Sequence, residues 1–103
     1  MYDLEELIRR QRAFSEMTFG PGRTTMRAIN HIKRELDEIA ADPFDIEEWI
    51  DVVLLALDQC WRLEYTPEEI CRVVHEKQEK NMRRKWPKPG TVAEDEPIEH
   101  DRT

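Results

Sequence analysis

Three breaks decide most of what this chain can fold into: "TFGPG" (Thr18–Gly22), the pair Asp42-Pro43, and "TPEE" (Thr66–Glu69). Proline and glycine at these places stop a helix or restart one. Between the breaks, apolar residues return every three or four positions, the spacing of one helix face. Leu4, Leu7, Ile8, Gln11, Phe14 and Met17 predict a first helix from about Asp3 to Thr18. Ile29, Ile32, Leu36 and Ile39 predict a second, from Thr24 or Thr25 to about Ala41. The third starts at Asp45, a capping residue answered three positions on by Glu48, and runs to about Leu63. The fourth has Thr66 as its cap, Pro67 in its first position and Glu68 and Glu69 in its first turn, and ends near Arg84. With no internal repeat and no strand-like alternation, the expected fold is all-α: an antiparallel four-helix bundle. The domain should occupy residues 1–86. The remaining "PKPGTVAEDEPIEHDRT", rich in proline and acid and without periodicity, reads as an extended or disordered tail laid along a neighbour.

A chain of 103 residues is one small domain, and association with copies of itself would help it bury surface. Its formal net charge of −7 disfavours nucleic acid and anionic membrane as general partners. Asp51 and Asp58 interrupt the most apolar stretch, so no membrane-spanning segment is expected, and the N-terminus has no signal-peptide core. Cys60 and Cys71 lack CxxC spacing and are read as reduced thiols in a helical core. A cytoplasmic location follows as the expectation.

The acids carry the functional signal. Residues three and four apart share a helix face. His31, Glu35 and Glu38 lie together beside the apolar stripe of the second helix, and Glu48, Asp51, Leu55 and Asp58 form a row on the third. A short loop makes these helices antiparallel neighbours, so ExxE faces ExxD. Four carboxylates so close repel, and desolvating them costs several kcal/mol each without a positive partner. Lys33, Arg34 and Arg62 offer partial relief. A hard divalent ion held by Glu35, Glu38, Glu48 and Asp51 is the fuller compensation: Mg²⁺, with Mn²⁺ as a substitute. On the fourth helix the apolar face Ile70, Val73, Val74 runs on into Lys77, Asn81 and Arg84, residue types suited to phosphate oxygens. Metal-holding acids together with phosphate-binding cations are the equipment of phosphoryl or nucleotidyl chemistry. Simpler roles exist for each: Glu48 as a capping-box acid, Glu35 and Glu38 as surface acids, His31 as the partner of a nearby acid. A ferritin-like di-iron site would need Glu-x-x-His on two helices, but Glu38 and Asp51 stand in the third-residue positions. "PGRTT" lacks the lysine of a P-loop.

"RELDEIAADPFDIEEWIDVVLLALD" resembles the MazG-like all-α nucleoside triphosphate pyrophosphohydrolases, marked by ExxE on one helix and ExxD on the next. "FSEMTFGPG", "INHIKREL", "TPEEI" and "KQEKNMRRKWP" are similar to a phage-associated branch of dATP/dGTP diphosphohydrolases, over roughly residues 8–87. The resemblance implies conversion of a purine dNTP to dNMP and pyrophosphate, and a homodimer or homotetramer with sites near the subunit interface. It maps metal ligation onto Glu35, Glu38, Glu48 and Asp51, and phosphate contacts onto Lys77, Asn81 and Arg84. The expected reaction is attack of water at the α-phosphorus, with Glu35 or Glu38 as the catalytic base; His31 joins the substrate-contacting candidates. Two features depart from the family pattern: Arg34 precedes Glu35 where many relatives carry a further acid, and the ExxE-to-ExxD gap is shorter. The same chemistry on dUTP, dCTP or a damaged nucleotide, or a non-catalytic acidic helical adaptor, are the competing expectations.

Overall fold

In the computed structural model, which describes residues 3–101, four helices follow one another: α1 (Leu4–Phe19), α2 (Thr25–Ala41), α3 (Ile46–Arg62) and α4 (Pro67–Arg83). Among the described residues there is no strand. All four helices lie within a residue or two of the expected bounds, because their ends are set by local chemistry. Asp3 caps α1 by accepting from Glu6 N–H at 2.7 Å. Gly20 and Gly22, at φ 89° and 85°, then turn the chain in the left-handed region that glycine enters without a Cβ penalty.

Thr66 and Glu69 form a closed capping box. Glu69 N–H donates to Thr66 Oγ1 at 3.1 Å, and Thr66 N–H donates to Glu69 Oε1 at 3.0 Å. The box expected at α3 is open. Asp45 caps the helix through Glu47 N–H at 3.0 Å, while the Glu48 side chain turns elsewhere. One glutamate three residues after a cap is therefore spent on helix formation, and the other is left free.

The described residues form two compact units, 3–71 and 72–101. In the first, α3 packs against both α2 and α1. Its apolar core is Ile8, Trp61 and Ile70, flanked by Leu4, Leu57, Cys60 and Cys71. Both cysteines are free thiols, as expected, and burial pushes the Cys60 thiol upward in pKa. A polar knot lies beside this core. Arg62, 4% exposed, donates to Asp58 Oδ2 at 2.9 Å, Ser15 Oγ at 2.8 Å, and the carbonyls of Gly20 and Gly22 at 2.9 and 2.8 Å. Trp61 Nε1 donates to the other Asp58 oxygen at 2.8 Å, and the Arg62 guanidinium lies over the Trp61 ring. This knot fastens the turn between α1 and α2 onto the end of α3.

The second unit holds the C-terminal part of α4 and the segment after it. That segment is irregular, as expected, but it is neither extended nor structureless. Asp101 N–H donates to the Lys85 carbonyl at 2.8 Å, and the His100 ring meets Trp86 edge-on at 5.7 Å. Turns at Lys88–Thr91 and Ala93–Glu96 make this return possible.

Candidate metal centre

The α2–α3 hairpin positions the acids. Residues 42–45 reverse the chain, so the last two turns of α2 meet the first turn of α3. Glu35 and Glu38, one turn apart on α2, and Glu48, freed from its capping role, bring one carboxylate oxygen each within 4.8 Å of one another. Glu35 is 8% exposed, Glu48 is half-buried and Glu38 is exposed. The Oε2 atoms of Glu35 and Glu48 are buried and accept no hydrogen bond among the described residues. A buried carboxylate oxygen without a partner carries its full desolvation cost.

The electrostatics carry the same message. Glu48 is pushed up from its ordinary 4.5 to about 7, first by burial and then by the nearby Glu38 and Glu35 carboxyls. Glu48 is therefore the acid of the three whose ionised form is disfavoured near neutrality, and a bound cation would reverse that. The basic residues expected to help do not supply it. Arg62 is committed to Asp58 and the glycine turn, while Lys33 and Arg34 are exposed and make no ion pair among the described residues. His31 Nε2 lies 3.3 Å from Glu35 Oε1, the role of an acid's partner; the other Glu35 oxygen stays free.

Two acids of the expected row lie elsewhere. Asp51, one turn beyond Glu48, is exposed and is not among the converging carboxylates. Its apolar neighbours suggested burial, but Ile50 and Val53 are themselves 45% and 48% exposed, since α1 and α2 leave that face of α3 uncovered. The buried acid of α3 is Asp58, which faces Arg62 and Trp61. Its i,i+4 spacing to Arg62 was the available signal for that pair.

Lys77, Asn81 and Arg84 belong to the second unit. Lys77 is exposed and has no ion pair among the described residues, whereas Arg84 Nη1 donates to Asn81 Oδ1 at 3.2 Å. The preceding apolar positions are open: Val73 and Val74 are 49% and 44% exposed.

A family model described as dATP/dGTP pyrophosphohydrolase matches residues 7–103, nearly the whole chain, including the segment after α4. Comparison with curated proteins and with solved structures returned no match.

Proposed function

The chain belongs to the dATP/dGTP pyrophosphohydrolase family, hydrolases acting on nucleoside triphosphates, and we propose that it cleaves purine dNTPs to dNMP and pyrophosphate using a hard divalent ion held by Glu35, Glu38 and Glu48. The observation that carries this reading is the pair of buried, unpartnered oxygens on Glu35 and Glu48, set among three converging carboxylates. An all-oxygen donor set of this kind fits Mg²⁺ or Mn²⁺ and does not fit a thiolate- or imidazole-seeking metal. Asp51, one turn along α3, is the further ligand we assign to the set.

When bound, such an ion supplies charge neutralisation for the triphosphate and makes a nearby water more acidic. The chain's own groups do the rest. Glu35, buried and in contact with His31, is held in place. Glu38, exposed, is the carboxylate best able to accept a proton from the water that attacks the α-phosphorus. Lys77, without an acid partner among the described residues, is the cation we assign to phosphate, with Asn81 one turn further along α4 and Arg84 just past its end. Association follows from the same reading. Leu7 and Phe14 on α1, and Leu36, Ile50 and Val53 on α2 and α3, are between 39% and 56% exposed, and a homodimer or homotetramer would cover such faces. No helix among the described residues is long and apolar enough to cross a membrane, and we assign the enzyme to the cytoplasm.

The test is product analysis. Purified protein is incubated with each dNTP and Mg²⁺, and the products are separated by ion-exchange chromatography. The proposal expects dGMP or dAMP with pyrophosphate. Orthophosphate with a dNDP would rule out attack at the α-phosphorus.

A further inference from the structure

The acids account for phosphate chemistry but leave the base of the nucleotide unassigned. On the C-terminal part of α4, Val74, Lys77, Gln78, Asn81 and Met82 line an open cavity of about 580 Å³ together with Trp86. The indole is fixed from two sides. Its Nε1 donates to the Asn81 carbonyl at 2.7 Å, and its ring is met edge-on by His100. The chain's return, closed by Asp101 N–H on the Lys85 carbonyl, keeps His100 there. Even so, Trp86 is 44% exposed and Met82 77%. An aromatic plane and a thioether are thus presented to solvent on a scaffold that holds the indole still.

The polar groups around the cavity are uncommitted. Arg72, His75 and Arg83 on the same helix each have a glutamate partner, but Lys77 has none among the described residues. Gln78 makes no side-chain hydrogen bond there either, and Asn81 uses only its oxygens, leaving its NH₂ unengaged. A flat apolar ring surface, amides able to read a polar edge, and an unpaired cation together match an aromatic heterocycle carrying an anionic group.

We propose that this groove seats the purine ring of a deoxynucleotide, stacked on Trp86, with Gln78 reading the ring's edge and Lys77 meeting phosphate. The inference rests on the substrate reading above and deepens it. Base stacking on an aromatic side chain is sequence-tolerant, since every base has a π-face, and the larger purine gains more contact. The edge is where adenine and guanine differ. An amide can turn to offer either its oxygen or its NH₂, so Gln78 accepts the donor–acceptor pattern of either purine. That matches a family described by both dATP and dGTP.

The test uses the full chain in chelator, so that divalent ions contribute nothing, with dGMP, dAMP and dCMP as probes. Binding is followed by tryptophan fluorescence and by saturation-transfer NMR. Wild-type protein should bind dGMP and dAMP more tightly than dCMP. Trp86→Ala should weaken dGMP binding about 5- to 150-fold, the range for loss of one base–aromatic stack, while Trp86→Phe keeps most of it. Gln78→Ala should reduce the preference for purines. Should Trp86→Ala fail to fold, quenching by dGMP that is present in the wild type and lost in Trp86→Phe locates the ring at this indole. Undiminished dGMP binding by Trp86→Ala would overturn the proposal, as would a change in sedimentation without a change in affinity, which would make the groove a contact between copies. Hydrolysis of dGTP and dATP by the wild type with Mg²⁺ is scored separately: its absence defeats the substrate reading, whereas the groove is judged on monophosphate binding alone.

Discussion

Replacing Arg62 with methionine should strongly destabilise this protein, although Arg62 takes no part in the proposed chemistry. The guanidinium makes four hydrogen bonds, to Asp58, Ser15 and the carbonyls of Gly20 and Gly22. Methionine fills similar volume but donates none of them. Asp58, 7% exposed, would keep only the Trp61 indole as donor. Removing one partner of a buried ion pair costs about 3–5 kcal/mol, mostly through the charge left behind. Total stabilities of small domains are about 5–15 kcal/mol, so the variant should lose a large share of its stability. Urea denaturation followed by far-UV circular dichroism measures the loss directly. The surface pair of Arg9 with Glu68 gives the contrast, since both side chains are more than half exposed and Arg9→Ala should cost no more than about 1 kcal/mol. Removing both buried charges, as Asp58→Leu with Arg62→Met, should recover part of the deficit, because no unpaired carboxylate remains. A loss below about 1 kcal/mol in Arg62→Met alone would show that the knot does not hold the α1–α2 turn, and the argument would fail.

Other outcomes follow from the acid cluster and the caps. Glu48 has a folded pKa raised from 4.5 to about 7, so its contribution is fully present below about pH 4.5 and is lost as pH rises through 7. Thermal denaturation in chelator should therefore show stability falling across that window, Mg²⁺ should restore it at pH 7, and Glu48→Gln should flatten the profile. Glu35→Gln and Glu38→Gln should each lower dNTP turnover at least about 100-fold, the range for losing an acid–base group, with unchanged circular dichroism; wild-type rates in both would remove them from the site. Thr66→Ala opens the closed capping box of α4 and should cost about 1 kcal/mol in urea denaturation. The same measurement on Asp45→Ala should give a similar loss, since Asp45 also accepts from a backbone N–H.

The helices were legible because their ends are written in neighbouring residues. Asp3 and its first-turn amide, and Thr66 with Glu69, need nothing from the rest of the chain. The acids were legible as a set, since i,i+3 spacing puts Glu35 beside Glu38 whatever surrounds them. Which acids converge was not. Glu48 and Glu69 occupy the same place relative to a cap, and only the approach of α2 decides that one closes a box and the other joins Glu35. Asp51 looked buried because its sequence neighbours are apolar, but burial depends on which faces of α3 other helices cover. Arg62 looked like a counter-ion for the site. Its Asp58 partner is four residues away, but Ser15, Gly20 and Gly22 lie 40 to 47 positions away, a distance at which local pattern carries no information. The return of the C-terminal segment onto Lys85 and Trp86 was equally out of reach, because its composition alone does not favour a folded state.

The most direct measurement is a titration of the nucleotide-free protein with Mn²⁺, following the free ion by electron paramagnetic resonance. Saturable uptake is expected, weakened at least about tenfold when Glu35→Gln or Glu48→Gln withdraws a charged oxygen from the ion, and unchanged in the remote Glu16→Gln. Ion uptake too weak to saturate, or equal uptake by all four proteins, would mean that the gathered carboxylates are not a metal centre.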